Sequence, residues 1–429
     1  MVGSSRRSGW YRPWADVGEG SDSYGDQVTA PTLTSAPGPT ATAERALGPD
    51  LARGFMLLFI ALANSHYFLR GSSVMGGYPL DGSALDSAVT WAISTFVDGR
   101  AFPMFGLLFG YGVAHIVRRQ QAAGAEPRAV RRLLWRRSLV LVVVGFLHAV
   151  LLYAGDILAA YGVLLFVGAW ALRWKDRWLL LVALAFFLLG ALPSDGSSTI
   201  GTDPPDSSML PPDLGSQLVD RAPVSAFIAL LGPIGFVCPF LVGLWAGRRR
   251  LLERPAEHRR LLGWVAGVGI TAAVLGAQPI SLVLAGVSDV PGRSTLEWMG
   301  PLHDASGVLG GFGYAALFAL VALRLQGRRH RVVDAVAATG QRSMTCYLAQ
   351  SVVWAVAFTP FLLDLSATLT VATTALLATA TWLATVALAI HMAHTTNRGP
   401  SERLTRHLTY HGLARLPLLS GSGRRVTAD

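Results

Sequence analysis

The chain has 429 residues, of which 52% are hydrophobic and 14% are charged, and its formal net charge at pH 7 is +10. A soluble domain carries roughly 25% charged residues, so this composition excludes an ordinary soluble enzyme of this length. Of the 36 basic residues only Lys175 is a lysine, which is typical of GC-rich bacterial genomes. Nearly all of them fall in short stretches between apolar segments, which argues against a nucleic-acid partner.

The composition changes twice along the chain. Residues 1–45 are rich in glycine, serine, proline, threonine and alanine, and they show no apolar period. They are predicted to form a disordered cytoplasmic tail. Residues 46–410 are predicted to form a transmembrane domain, and residues 411–429 a cytoplasmic C-terminal tail.

Ten apolar segments follow the first tail. Each is long enough to cross a hydrocarbon core of about 30 Å at about 1.5 Å per residue. We therefore expect an all-α polytopic membrane bundle of about ten transmembrane helices. The ninth segment is predicted to begin with an interfacial helix, Val332–Thr339, before Gly340. The ten segments are 51–69, 88–117, 133–153, 156–172, 177–193, 223–247, 261–286, 303–323, 332–360 and 366–394.

The basic residues predict the orientation, because arginine and lysine in short loops stay on the cytoplasmic side. With the N-terminus inside, 31 of the 36 basic residues fall on that side. Only Arg70, Arg100, Arg221 and Arg293 remain outside, and Arg342 lies within a membrane segment. The sequence therefore predicts a multi-pass protein of a bacterial plasma membrane with both termini in the cytoplasm.

The longest outer loop, residues 194–222, is acidic and rich in proline and glycine. This composition is typical of a solvated connector, and a flexible lid is the alternative. No convincing internal repeat is visible along the chain, which weakens an inverted-repeat transporter without excluding it.

Three polar residues mark the first apolar segment. Arg53 and Asn64 are eleven residues apart, which is about 1,100° at about 100° per residue, so they share one helix face. Arg53 is interpreted either as an anchor at the cytoplasmic interface or as a ligand-binding residue. His66 is interpreted either as an interfacial histidine that faces water or as a catalyst.

A second polar group, Asp98-Gly99-Arg100, interrupts the second segment. A surface-lying stretch is predicted to end there. Asp98 is well placed to cap the following helix with its carboxylate. Within that helix the Gly106-x-x-x-Gly110 spacing predicts close packing against another helix.

His148 and Asp156 lie on either side of the next turn. His148 is about one and a half turns inside its helix, where a histidine needs a polar partner. Asp156 opens the following segment and is a favoured residue type for a helix N-cap. The alternative is that Asp156 orients the His148 imidazole for proton transfer.

Arg342 lies in a polar stretch that runs from Gly340 to Tyr347 and continues to Gln350. A guanidinium stays charged in a protein, so a buried Arg342 needs a carboxylate, phosphate or carbonyl partner. The alternative is that the helix begins at Gly340 and that the side chain extends to the cytoplasmic interface.

Four blocks span residues 50–410 in a fixed order. They are Asp50-Leu51-Ala52-Arg53-Gly54-Phe55 running to Asn64, Asp98-Gly99-Arg100-Ala101-Phe102 running to Gly112, Arg136-Arg137 running through His148 to Tyr161, and Gly340 running to Ser351, followed by Gly399-Pro400-Ser401-Glu402-Arg403. No single block is specific, but together they resemble the YeiB-type membrane family, whose domain has no assigned function.

That family is similar to a superfamily of integral-membrane acyltransferases, which includes sugar O-acetyltransferases and lysosomal heparan N-acetyltransferase. The resemblance implies a cytoplasmic acyl-CoA donor and an acceptor sugar or lipid reached from the outer side. Many members carry a first-helix arginine and, after ten intervening residues, a histidine. Arg53 matches the arginine, but Asn64 stands at the histidine position, so His66 or His148 would have to act as the base.

The leading hypothesis is acyl transfer from acyl-CoA to an extracytoplasmic or membrane-embedded hydroxyl or amine of a small molecule, glycan or lipid. We expect the lipid bilayer as a partner, no bound cofactor and no metal. The alternatives are a transporter or exporter of a small metabolite and a membrane scaffold without turnover, and the oligomeric state is left open. The candidate catalytic residues are His148, Asp156 and His66, and the candidate substrate-binding residues are Arg53, Asn64, Asp98, Arg100, Arg342 and Gln350.

Overall fold

A computed structural model of the chain describes residues 46–326, 330–395 and 398–411. The predicted N-terminal tail and residues 412–429 of the predicted C-terminal tail lie outside these ranges. Apart from one short β-hairpin and three short 3-10 turns the described elements are α-helices, which confirms the all-α class. The elements are α1 Leu47–Ser65, β1 Val74–Met75, β2 Tyr78–Pro79, α2 Ala84–Phe96, α3 Ala101–Ala122, α4 Pro127–Leu151, α5 Leu158–Gly168, α6 Asp176–Gly190, α7 Leu214–Leu231, α8 Pro233–Arg248, α9 Arg259–Leu284, α10 Arg293–Arg324, α11 Arg331–Gln341, α12 Ser343–Phe358, α13 Val371–Thr395 and α14 Pro400–His411.

The number of membrane-spanning helices is smaller than predicted. Six helical stretches in the described ranges are long and apolar enough to cross a membrane: α1, α2 together with α3, α4, α9, α10 and α13. The number is seven if α7 and α8, which meet at a bend of 44°, form one span. The prediction of ten is wrong because several apolar runs end early as helices. α5 has 11 residues and α12 has 16, so neither reaches across about 30 Å by itself.

Close helix packing depends on glycines, as the Gly106-x-x-x-Gly110 spacing predicts. A Cβ atom at Gly110 of α3 would overlap with the carbonyl oxygen of Phe240 in α8. A Cβ atom at Gly145 of α4 would similarly overlap with the backbone of Ala159 in α5. These glycines let the helix backbones touch, which stabilises helix pairs in lipid through van der Waals contacts.

The outward faces of the helices are apolar. Large side chains such as Val268 and Leu275 of α9 and Leu376 of α13 are exposed. A water-soluble protein rarely exposes continuous apolar surface of this kind, whereas a bilayer covers it. The distribution of side chains therefore agrees with the membrane location that the composition predicts.

Two helix breaks lie where the sequence predicts them. α2 and α3 are separated at residues 97–100, where Gly99 has φ +72°, a conformation that favours glycine. A separate helix, α11, precedes the second break, and the chain breaks at Arg342, two residues after Gly340.

The segment that precedes α7 is mostly exposed, as a solvated connector would be, but it is held against the bundle at several points. Ser197, Thr199, Ile200 and Leu210 are buried. The carbonyl oxygen of Gly201 accepts a hydrogen bond from the Gly76 N–H in the β-hairpin at 2.7 Å. The apolar and backbone contacts hold this segment against the bundle, in spite of its acidic residues.

Arg221, predicted to lie in the outer loop, is instead part of α7 and is 1% exposed. Its Nε donates to the carbonyl oxygen of Ser208 at 2.7 Å. The loop therefore ends earlier than the sequence predicts, because residues 214–222 of the predicted loop form the first turns of α7.

Candidate functional site

A cavity of about 700 Å³ lies between α1, α3, α4, α5, α12 and α14. Its wall on α3 extends from Phe105 to Gln120, and its wall on α1 reaches from Pro49 to Ile60. The stretch of α3 from Phe105 to Arg119 is fourteen residues, which corresponds to a depth of about 21 Å. The cavity is therefore deep enough to hold an extended ligand.

One end of the cavity is strongly basic. Among the described residues that line it, six are arginines and three are carboxylates. An excess of guanidinium groups attracts anionic groups, and phosphate above all, because the planar fork binds two oxygens at once. The arginines are Arg53, Arg119, Arg137, Arg254, Arg398 and Arg406, and the acidic residues are Asp50, Glu253 and Glu402.

Two of these carboxylates already have cationic partners. Asp50 contacts the Nη1 of Arg53 at 2.7 Å. Glu253 accepts a hydrogen bond from Arg118 at 2.6 Å, and the Nδ1 of His115 lies 3.2 Å away. Burial alone would raise the pKa of Glu253, but the contacts with His115 and Arg118 outweigh it and lower the pKa to about 2. Glu253 is therefore charged at neutral pH and neutralised by its neighbours.

Arg137 lies near Arg53 and Tyr410 at the same end. Its Nε is shielded from solvent and has no hydrogen-bond partner among the described residues. Two neighbouring cations, one of them incompletely hydrogen-bonded, repel each other in a site of low dielectric. An anion placed between Arg53 and Arg137 would reduce their repulsion and would accept a hydrogen bond from the Nε of Arg137.

The other end of the cavity is apolar. Its wall is formed by buried side chains of α1, α3, α4 and α5. Such a surface favours a hydrocarbon group over water. The residues are Met56, Leu57, Ile60, Phe105, Leu108, Phe109, Leu141 and Leu158, and the ring of Tyr161 lies beside them.

A buried carboxylate lies behind one wall of the cavity. The Oδ1 of Asp156 is 2.9 Å from the Nδ1 of His148 and accepts a hydrogen bond from the Tyr347 hydroxyl at 2.8 Å. Its Oδ2 accepts the N–H of Leu158, the first residue of α5, at 3.0 Å. The carboxylate therefore binds the N–H of the first residue of α5, beside the N-cap residue Ile157, and it also contacts the imidazole. Its role in proton transfer stays a prediction.

Tyr347 connects this network to the cavity, since its side chain lines the cavity wall. His148 does not line the cavity, and its buried Nε2 has no hydrogen-bond partner among the described residues. No role for Tyr347 follows from the sequence alone. Its position in a polar stretch of an apolar helix marks it as unusual, but its partner Asp156 lies 191 residues away in the chain.

A second polar cluster surrounds Asp98. The Tyr78 hydroxyl donates to the Oδ2 of Asp98 at 2.5 Å, and the Nε2 of His66 lies 3.9 Å from the same oxygen. Burial raises the pKa of Tyr78 well above its usual value, and the charge of Asp98 adds to this effect, so Tyr78 remains a hydrogen-bond donor. The expected capping of α3 by Asp98 is wrong, because the carboxylate binds Tyr78 instead.

His66 and Arg100 are both buried in this second cluster. His66 is 1% exposed and its ring stacks on Tyr78 at 3.9 Å, so the prediction that it faces water is wrong. Arg100 is fully buried and donates to the carbonyl oxygens of Asp98 and Ala273. Its Nη1 lies 2.7 Å from the Nε2 of His303. These residues do not line the cavity of about 700 Å³.

Tyr153 lies between the two clusters. Burial raises its pKa, and the neighbouring Tyr67 and Asp156 raise it further. Tyr67 lies in the turn next to His66, and the two rings are 4.3 Å apart.

Besides Asp98 and Arg100, three further predicted substrate-binding residues do not line the cavity: Asn64, Arg342 and Gln350. Arg342 is 2% exposed and donates to the carbonyl oxygen of Ala338 at 3.0 Å, so it is a buried residue with a carbonyl partner. Gln350 is buried, and its Nε2 lies 3.4 Å from the Thr385 hydroxyl. Of the six predicted binding residues, Arg53 is the one that lines the cavity.

Glu402 of α14 fixes the start of α12. Its Oε1 accepts the N–H groups of Met344 and Thr345 at 2.9 and 3.1 Å, and its Oε2 accepts the Thr345 hydroxyl at 2.5 Å. The first N–H groups of a helix have no partner within the helix, and a carboxylate there also interacts favourably with the helix dipole. Glu402 thus holds the helix that carries Tyr347.

The fold and the cavity define the class: a helical membrane protein with a deep internal cavity that is basic at one end and apolar at the other. Residues 246–412 match the family DUF418, described as a protein of unknown function. This region contains Tyr347 and Glu402 but not His148 or Asp156.

Two relatives extend the similarity. The chain is 29% identical over 278 residues to the uncharacterized protein YxaH of Bacillus subtilis (strain 168), which is 55% of this chain and 67% of that protein. It is 31% identical over 180 residues to the uncharacterized protein YeiB of Escherichia coli (strain K12), which is 39% of this chain and 44% of that protein. The predicted resemblance to the YeiB-type family is therefore confirmed, and these matches name no activity.

The contacts of Glu402 predict a specific loss of stability. Glu402→Ala removes three hydrogen bonds to the first turn of α12, so we expect the free energy of unfolding to fall by about 1–2 kcal/mol. Thermal unfolding of the purified protein, followed by tryptophan fluorescence, measures this. Glu257→Ala is the matched control, because Glu257 forms an exposed pair with Arg254 that contributes little. Equal melting temperatures for the two variants would contradict the assignment.

Proposed function

We propose that the protein is an integral-membrane acyltransferase that moves an acyl group from acyl-CoA to a hydroxyl or amine of an extracytoplasmic or membrane-embedded acceptor. One observation carries the proposal: the cavity has an arginine-rich end and, on its wall, Tyr347, which donates a hydrogen bond to Asp156. The arginines suit the phosphates of CoA. Asp156 contacts His148, which supplies an imidazole for proton transfer.

The proposed step is a direct transfer. The acceptor oxygen or nitrogen attacks the carbonyl carbon of the thioester, and its proton passes to the Tyr347 hydroxyl while the Tyr347 proton moves to the Asp156–His148 pair. The tetrahedral intermediate expels the CoA thiolate as the carbon–sulfur bond breaks. The stored proton then returns through Tyr347 to the sulfur, so that the products are the acylated acceptor and free CoA.

The orientation is part of the proposal. Arg119, Arg254 and Arg398 belong to stretches that the distribution of basic residues assigns to the cytoplasm. Seven spans alone would leave the two termini on opposite sides, but the chain from Gly340 through α12 also runs from Asp50, near the start of α1, to Phe358, which stacks on Phe68 beyond the end of α1. With this eighth crossing we place the protein in a bacterial plasma membrane with both termini inside, which directs the arginine end of the cavity towards cytoplasmic acyl-CoA. The Asp98 cluster and the β-hairpin then face the outer side.

Cysteine labelling tests this orientation. Ser72 and Glu257 are exposed in two loops that the proposal assigns to opposite sides, and the native Cys238 and Cys346 are both buried. On intact cells, a membrane-impermeant maleimide is expected to label Ser72→Cys, and to label Glu257→Cys only after the cells are permeabilised. The reverse pattern would contradict the proposed orientation.

The proposed chemistry predicts a large loss of rate in three variants. His148→Asn, Asp156→Asn and Tyr347→Phe are each expected to lower acyl transfer by about 10²-fold or more, because each interrupts proton transfer. The assay follows radiolabel from acetyl-CoA or palmitoyl-CoA into cell-envelope lipids and glycans, with the full-length protein in nanodiscs. His391→Asn is the control, since His391 is exposed on α13.

Three results would overturn this proposal. Full activity in the three variants would exclude the proton relay. Movement of a labelled solute across proteoliposomes without chemical change, together with no acyl transfer by the wild type, would instead favour the transporter. Loss of stability in the variants with no turnover in the wild type would favour the scaffold.

A further inference from the structure

We propose that the ligand of the cavity carries a long hydrocarbon chain: the phosphate-bearing head lies at the arginines and the chain occupies the apolar end. If the ligand is the acyl-CoA donor, the inference rests on the proposed acyl transfer and identifies the donor as a long-chain thioester rather than acetyl-CoA. The same chemistry, a phosphate head with one hydrocarbon chain, also describes a lipid phosphate, and the experiment below distinguishes the two sources.

The length of the cavity supports this inference. On α3, Arg119 lies at the basic end and Phe105 lies at the apolar end, about 21 Å away along the helix. On α1, Arg53 and Ile60 line the cavity in the same order, seven residues apart, or about 10 Å. Charge and apolar surface are therefore separated along the cavity, as the two parts of an amphiphile are.

The lining of the apolar end supports it as well. Phe105 and Phe109 of α3 both line the cavity and are half-buried, so part of each ring stays accessible. Such an apolar surface gains dispersion contacts with a hydrocarbon chain, whereas water gains few hydrogen bonds there. In acetyl-CoA the pantetheine arm would have to occupy much of this end, and its two amide groups would need polar partners there, whereas a hydrocarbon chain needs none.

Gly112 offers a way to block the chain without disturbing the helices. It lines the cavity on α3, seven residues from Phe105 and seven from Arg119, so it lies midway between the two ends. A Cβ atom built at Gly112 has no described heavy atom within 4 Å. A large side chain at this position would therefore extend into the cavity rather than into a neighbouring helix.

The experiment measures the affinity of the full-length protein in nanodiscs for CoA, acetyl-CoA, octanoyl-CoA, dodecanoyl-CoA and dodecyl phosphate. If the chain enters the cavity, each added methylene is expected to lower the Kd by about fourfold until the cavity is filled. Gly112→Phe is expected to remove this dependence on chain length, measured as the ratio of the Kd of octanoyl-CoA to that of dodecanoyl-CoA. Gly112→Leu is a second, smaller blocking variant, should the phenylalanine prevent folding.

Two variants serve as controls. Gly112→Ala keeps the cavity open and should retain the dependence on chain length. Gly267→Phe on α9 places the same ring at an exposed glycine that also has no described heavy atom within 4 Å, and it should behave as the wild type. This control also corrects for partition of the longer chains into the nanodisc lipid.

Each outcome decides a different point. Equal affinity for acetyl-CoA and dodecanoyl-CoA in the wild type would overturn the long-chain inference and leave acyl transfer standing. A chain-length dependence that survives in both Gly112→Phe and Gly112→Leu would show that the chain lies elsewhere, which also overturns it. Binding of dodecyl phosphate but of none of the CoA thioesters would support a lipid phosphate as the ligand and would refute the acyl-CoA donor.

Discussion

The Asp156 carboxylate is the contact on which the rest of the site depends. It meets His148 at the end of α4, Tyr347 on α12 and the first N–H group of α5. A carboxylate buried in a bundle is tolerated only when donors surround it, and the loss of one donor leaves an uncompensated polar group. Asp156 therefore fixes α4, α5 and α12 relative to one another, and all three form walls of the cavity.

The polar groups of the bundle are divided between two regions. Arginines line one end of the cavity, while the Asp98 cluster contacts Tyr78 of the β-hairpin and does not line the cavity. Such a division suits a reaction whose two substrates arrive from different sides. It also explains why so many ionisable residues are retained in an apolar protein, since each costs about 2.5–3.5 kcal/mol on insertion scales.

The sequence predicted the local features well and the long-range contacts poorly. The helical class, the breaks near Gly99 and Gly340 and the His148–Asp156 pairing follow from patterns within about ten residues. Tyr347 and Glu402 were missed because each acts on a distant part of the chain, 191 and 57 residues away. The count of ten membrane helices was wrong because the length of an apolar run does not show where the helix ends, as in α5. The position of His66 depends on stacking with Tyr78, which no periodicity reveals.

The most direct test of the proposed acyl transfer is an electron cryo-microscopy structure of the full-length protein in nanodiscs with a non-hydrolysable ketone analogue of palmitoyl-CoA. We expect the CoA phosphates at Arg119, Arg137 and Arg406, the carbonyl carbon beside Tyr347, and the chain against Ile60 and Phe105. A ligand whose carbonyl carbon lies at the Asp98 cluster instead, or a saturated sample in which the cavity holds no ligand, would contradict it.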